Sequence, residues 1–335
     1  MILTKIKSPI LFQGNLKKRH YFEGWFYKQV SKDERSVVSF IPGISLFDND
    51  LHSFVQYIFI SIDRNGRRVI NSGYVKYPLK DFTFSNDPFM IRIGKNIFSE
   101  SMVSVNLADG KMNIKGNFNL GRFTPIRRSI LMPNIMGFFA YIPKMECYHG
   151  VISMNHEVNG ALKINSEDID FNNGKGYIEK DWGTSFPRRY IWIQCNNFKN
   201  KTTSVFSSAA DIPFMGKSFR GYISNLSVDG KEYRFATYNS SILRIENITN
   251  QNAVIVFENK KAKLKIEAAT KQPAELIAPQ EGKMQKIIKE ELSGEVKIHL
   301  YNNQNKIIYE DVGCMAGIEV VGFIRCRSAA STSWG

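Results

Sequence analysis

Cysteine is sparse and scattered in this chain: Cys147, Cys195, Cys314 and Cys326 form no Cys-x-x-Cys pair, and the four are expected to be reduced thiols. Histidine offers no better metal spacing. His149 and His156 are an odd number of residues apart, so a straight strand turns them to opposite faces, and no third ligand stands at a convincing spacing. No metal site is expected. There is no Gly-x-Ser-x-Gly elbow, Cys195 has no local histidine, and phosphate-loop and dinucleotide fingerprints are missing. Those absences set aside nucleophilic hydrolysis and nucleotide-dependent chemistry, and no cofactor is expected. No apolar run approaches transmembrane length, and the stretch Met1 to Pro9 lacks the apolar core of a secretory signal. A soluble, cytoplasmic protein is the expectation.

What the chain does have is ordinary bulk composition with an aromatic bias. Of its 335 residues 43% are hydrophobic and 23% charged, as in a foldable globular protein, and 24 Phe with 14 Tyr lean towards β structure. The length allows two average domains. A net charge of +14 asks for a partner or a surface explanation, yet the cations come as short pairs such as Arg67-Arg68, Arg127-Arg128, Arg188-Arg189 and Lys260-Lys261, without a stripe, basic helix or RNA-binding motif. Nucleic acid is therefore not the expected partner. Dispersed solvated charge accounts for most pairs, and peripheral contact with an anionic membrane fits the remainder.

Period-two alternation dominates the chain. Strands are predicted over residues 21–30, 36–46, 53–62, 67–77, 89–93 and 102–120, and again over 188–198, 202–212, 219–228, 231–237, 241–248 and 252–258, with later alternation at Ala262 to Ala268 and Val296 to Leu300. Asp63-Arg-Asn-Gly66, Asp109-Gly110 and Asp229-Gly230 mark hairpins. Between Gly121 and Lys144 proline and glycine interrupt an apolar stretch, which reads as a long connection with a short helix: an interdomain plug between two sheets, or else a greasy lid over a barrel. Two successive strand sets with few helices define an all-β chain of two antiparallel barrels or sandwiches, residues 1–168 and 169–327, with 328–335 a small polar tail.

Two stretches concentrate chemistry. In Arg19 to Lys28, Tyr21, Glu23, Trp25 and Tyr27 share one strand face, a carboxylate among polar-tipped rings. In Gly176 to Asn196, Glu179 and Asp181 project on one side if extended, so that burial would leave one of them protonated to higher pH; both could instead pair with arginines or cap a turn. Further along, Tyr190, Trp192, Gln194 and Asn196 share a face suited to lining a pocket.

These stretches, together with Pro143 to Ser153, resemble the signature segments of the tocopherol cyclase family in the expected order, and the family is more distantly similar to carotenoid hydratases. Phe26 stands where many relatives have tyrosine or tryptophan, and residues 71–122 and those after Ser240 match poorly. The resemblance implies two lipocalin-like barrels and cofactor-free acid catalysis on a prenylated quinol or related terpenoid. Such a reaction needs a proton for an alkene, shelter for a tertiary cation and an oriented phenol. Asp181 or Glu23 is the candidate acid, with Glu179 setting the charge balance and His149, beside Glu146 and Tyr148, a possible proton shuttle. Trp25, Trp182 and Trp192 are candidate cation shelters, Gln194 and Asn196 candidate hydroxyl partners, and Tyr27 and Tyr190 further substrate contacts. The alternatives are a hydratase of a terpenoid alkene and a non-catalytic carrier of a hydrophobic ligand.

Overall fold

The computed structural model describes residues 2–214, 217–249 and 251–323; Cys326 and the polar tail 328–335 lie outside them. Cys147, Cys195 and Cys314 are free thiols. Antiparallel strands build two large sheets, and the described helices are one turn or two: Ile2–Lys7 and three short 3-10 segments. Among the described residues no helix is long and apolar enough to cross a membrane.

The first sheet runs through Arg68–Pro78, Asp50–Ile62, Ser36–Phe47, Tyr21–Val30, Gly174–Gly183 and Cys147–Ile164, and continues through Asn113–Leu120 to Phe82–Asn86. The second has Tyr190–Cys195 at its centre, between Ser204–Phe214 and Ile307–Val321. The chain changes sheets between Gly183 and Tyr190. Gly174–Gly183 thus pairs with Tyr21–Val30 and Cys147–Ile164 in the first sheet, although the sequence division at 168/169 groups it with the second half.

Alternation sorts side chains into three cores. Trp25, Tyr27, Ile178 and Trp182 point into the first barrel, and Ile191, Ile193 and Cys195 into the second. Their sequence neighbours Phe26, Tyr177, Tyr190 and Trp192 fill a layer between the two sheets. This is why Tyr190–Cys195 is buried at every position: a strand covered on both faces has no solvent side. The 121–144 connection contributes Ile126, Ile135, Met136 and Ala140 to that layer, while Ile130 and Leu131 remain 80% and 75% exposed.

A hairpin missing from the sequence reading, Ala274–Gln280 with Lys283–Asn302, closes the layer on one side. Its turn places Glu281 and Gly282 at φ 53° and 84°, which glycine tolerates at the second position. Gly282 also lies against the first barrel, where a Cβ would come within 2.2 Å of the His20 carbonyl carbon. The backbone of Ile277 is held by Gln56, whose Oε1 accepts from the Ile277 N–H at 2.7 Å and whose Nε2 donates to the Ile277 carbonyl at 3.2 Å.

Candidate active site

Between the sheets lies a partly open cavity of about 200 Å³, lined mainly by apolar side chains from both sheets, the 121–144 connection and the hairpin arm. Ligand pockets commonly span roughly 300–1,000 Å³, so this space is smaller than one that encloses a drug-sized ligand whole. Its walls include Phe26, Tyr190 and Trp192, together with His149, Glu179, Asp181, Glu290 and Glu319. A greasy cavity with five carboxyl groups, Glu146 being the fifth, and an imidazole is the feature that requires an explanation.

Strand register assembles the first polar group. His149 and Asp181 are direct cross-strand partners, and Glu179 stands two residues from Asp181 on the same face, opposite Val151. His149 Nδ1 and Asp181 Oδ1 are 2.8 Å apart, and His149 Nε2 lies 3.6 Å from Glu179 Oε2. The imidazole stacks on Phe206 with centroids 4.9 Å apart. Burial alone would discharge His149, but Asp181 and then Glu179 outweigh it and raise the imidazole to about 9. At neutral pH His149 is a cation flanked by two carboxyl groups.

Glu179 is the more deeply buried of the two acids. Burial raises it to about 7, the His149 charge opposing and Asp181 adding to the rise. Its Oε2 accepts from Tyr177 Oη at 2.5 Å and Trp192 Nε1 at 3.1 Å, which leaves Oε1 to carry the proton. Ligand atoms of His149, Glu179 and Asp181 lie within 4.8 Å of one another, close enough to hold a metal ion. Local spacing hid that trio because its members come from two strands over 30 residues apart in sequence.

A second carboxyl pair went unrecognised in the sequence. Glu290 and Glu319 are direct cross-strand partners, and Glu319 also faces Trp192 across the next strand. Burial raises both, Glu290 well above the usual carboxylate range and Glu319 to about 7. The available signal was a lone acid between Ile318 and Val320 in an apolar strand; Lys289-Glu-Glu291, by contrast, reads as a solvated charge run.

The remaining sequence candidates lie elsewhere. Glu23 faces the first barrel, opposite to the cavity, in an ion pair with Lys180 that leaves neither side chain exposed. Its oxygens accept from the Gln13 and Gly14 backbone N–H groups at 2.7 and 2.9 Å and from Tyr21 Oη at 2.5 Å. Burial draws Lys180 down to about 8, with Glu23 opposing, and its ammonium sits 4.4 Å over the Trp25 ring. Trp25 donates to the Ile10 carbonyl, Tyr27 to that of Ser99, and Trp182 stacks on Tyr148. Gln194 and Asn196 lie outside the cavity lining: Gln194 Oε1 accepts from buried Lys28 at 2.7 Å, and Asn196 donates to the Gly176 carbonyl at 2.9 Å. Of the named candidates the cavity gathers His149, Glu179, Asp181, Tyr190 and Trp192.

Two curled antiparallel sheets with an acidic, largely apolar cavity between them define a two-barrel, lipocalin-like protein. The chain belongs to the tocopherol cyclase-like family, whose model matches residues 128–322. It is similar to the probable chloroplastic tocopherol cyclase of Oryza sativa subsp. japonica, 26% identical over 197 residues that cover 56% of this chain and 42% of that one. It is also similar to the chloroplastic tocopherol cyclase of Zea mays, 34% identical over 74 residues, or 22% and 16% of the two chains. The matches thus span less than half of either plant protein. Among solved structures, CghA superposes with a TM-score of 0.60 at 10% identity, covering 91% of this chain and 90% of that one. Kievitone hydratase from Nectria haematococca reaches 0.51 at 9% identity, covering 90% and 88%. At such identities the likeness speaks for the fold alone.

Proposed function

We propose that the protein closes a ring on a prenylated quinol, or a related terpenoid phenol, by acid catalysis in the inter-sheet cavity. The observation that carries this reading is Glu179, a carboxyl group held protonated to about 7 in an apolar cavity beside the His149–Asp181 ion pair. Glu179 gives its proton to an alkene carbon. The tertiary cation that results is sheltered by the Trp192, Tyr190 and Phe26 rings, and each such contact contributes on the order of 0.5–2 kcal/mol. The phenol oxygen then bonds to the cation, and its proton leaves to a second group. Atoms and electrons balance as an isomerisation. His149 polarises Glu179, which makes the carboxyl a stronger acid than burial alone would.

The test is incubation with a panel of reduced prenylquinols, read by chromatography and mass spectrometry. A product of unchanged mass that can no longer be reoxidised to the quinone is expected, and Glu179→Gln should lower kcat by at least ~100-fold with the fold intact. A product heavier by one water would make the protein a hydratase, and lipid retained unchanged through gel filtration would make it a carrier.

The greasy substrate also implies delivery from an anionic membrane surface. Ile130 and Leu131 project from the connection whose Met136 lines the cavity, with Arg127 and Arg128 beside them. Apolar side chains flanked by cations suit such a surface.

A further inference from the structure

Ring closure requires a group that accepts the phenol proton, and the groups around Glu179 do not supply one: His149 is already protonated, and Asp181 is bound to it. The opposite wall does. We propose that Glu319 is the catalytic base of this cavity, taking the hydroxyl proton of the substrate, and that Glu290 is its positioning residue, donating a hydrogen bond that holds the Glu319 carboxylate in place. This assignment rests on the cyclisation reading.

The geometry comes from three adjacent strands of the second sheet. Trp192, Glu319 and Glu290 stand in one row across Tyr190–Cys195, Ile307–Val321 and Lys283–Asn302. Both acids are buried, at 1% and 7% exposure, and both line the cavity. Tyr190 Oη donates to Glu319 Oε2 at 2.5 Å. Glu290 Oε1 is buried without any hydrogen-bond partner. Like charges this close cannot both ionise, and Glu290, the more strongly raised, retains the proton.

Other charged groups act on the pair from every side. Glu179 and Asp181 on the first sheet repel its charge, while Lys28 on Tyr21–Val30 and Lys286 on the strand of Glu290 stabilise it. Glu319 with two donors, Tyr190 and Glu290, is the member that ionises. In the reaction the Glu179 proton goes to the alkene carbon, the C–O bond forms as the π bond is consumed, and the hydroxyl proton passes to Glu319. A proton then returns from Glu319 to Glu179 through the open side of the cavity, which restores both groups.

The pH–rate profile of kcat is the test, with two variants of Glu290 to separate position from charge. The wild type should give a bell in which Glu319 sets the rising limb and Glu179 the falling one. Glu319→Gln should lower kcat by ~100-fold or more, leave KM nearly unchanged and remove the rising limb. Glu290→Gln, still a donor, should leave that limb in place, whereas Glu290→Leu should move it to higher pH. A Glu319→Gln enzyme that keeps the rising limb overturns the assignment, as does a Glu290→Leu enzyme with an unshifted profile. If the wild type turns over none of the quinols, the cyclisation reading fails and the base role goes with it; infrared spectra of the substrate-free protein then decide whether the pair shares a proton. In a Glu179→Gln background, a carboxyl titration near neutral pH whose midpoint Glu290→Leu moves upward supports the pair, and a midpoint unmoved by that substitution overturns it.

Discussion

Glu23→Gln should weaken the fold and spare the chemistry. The carboxylate of Glu23 is fully buried against Lys180, two backbone N–H groups and Tyr21 Oη, on the strand face turned away from the cavity. Removing its charge leaves a buried ammonium with no carboxylate beside it, held by the Pro9 and Leu11 carbonyls and the Trp25 ring. Breaking a buried pair from one side costs roughly 3–5 kcal/mol. With an unfolding entropy of about 2.1 cal/mol/K per residue, 335 residues give about 0.7 kcal/mol/K, so Tm should fall by roughly 4–7 °C if the chain unfolds as one unit. Calorimetry and turnover on the same preparation provide the assay. Replacing both partners, Glu23→Leu with Lys180→Met, should recover most of the loss, because it leaves no unpaired charge behind. A Glu23→Gln protein with wild-type Tm and no turnover would refute the placement and restore Glu23 as an acid.

Three other perturbations probe the cavity and its mouth. Trp192→Phe keeps a ring but removes the donor to Glu179 Oε2, so Glu179 should hold its proton to still higher pH and the falling limb of kcat should move up. In the folded state Glu179 is raised from 4.5 to about 7 and His149 from 6.5 to about 9. The native state therefore binds more protons than the unfolded one across both intervals, and Tm should decline as pH rises through them; Glu179→Gln should lessen the slope of the lower interval, which Glu290 and Glu319 share, and narrow the upper one, because Glu179 helps to raise His149, as pH-dependent thermal melts would show. Ile130→Ser with Leu131→Ser removes side chains 80% and 75% exposed, and should abolish sedimentation with vesicles of mixed zwitterionic and anionic lipid while leaving turnover of detergent-dispersed quinol unchanged.

Two-fold periodicity carried most of the architecture, because each barrel needs a face of apolar residues and alternation records it. It also separated the faces of the decisive strands: Tyr190 and Trp192 from Ile191 and Ile193, and Glu179 and Asp181 from Lys180. Alternation says which residues share a face but is silent on what that face meets. Glu23 and Glu179 both sit among rings on paired strands, yet one faces a filled barrel interior and the other the seam between barrels. That difference depends on the packing of the two sheets, to which residues far apart in sequence contribute. The same holds for Gln194 and Asn196, which share the face of Tyr190 and Trp192 but lie further along the strand, where Lys28 fills the seam. The Glu290–Glu319 pair shows the converse. Glu290 sits in what reads as a solvated charge run and Glu319 shows only as a lone acid in an apolar strand, and a register joining residues 290 and 319 across a hairpin is what makes them neighbours. The proposed chemistry thus belongs to the seam, where strands of both sheets carry polar side chains out of otherwise apolar alternation.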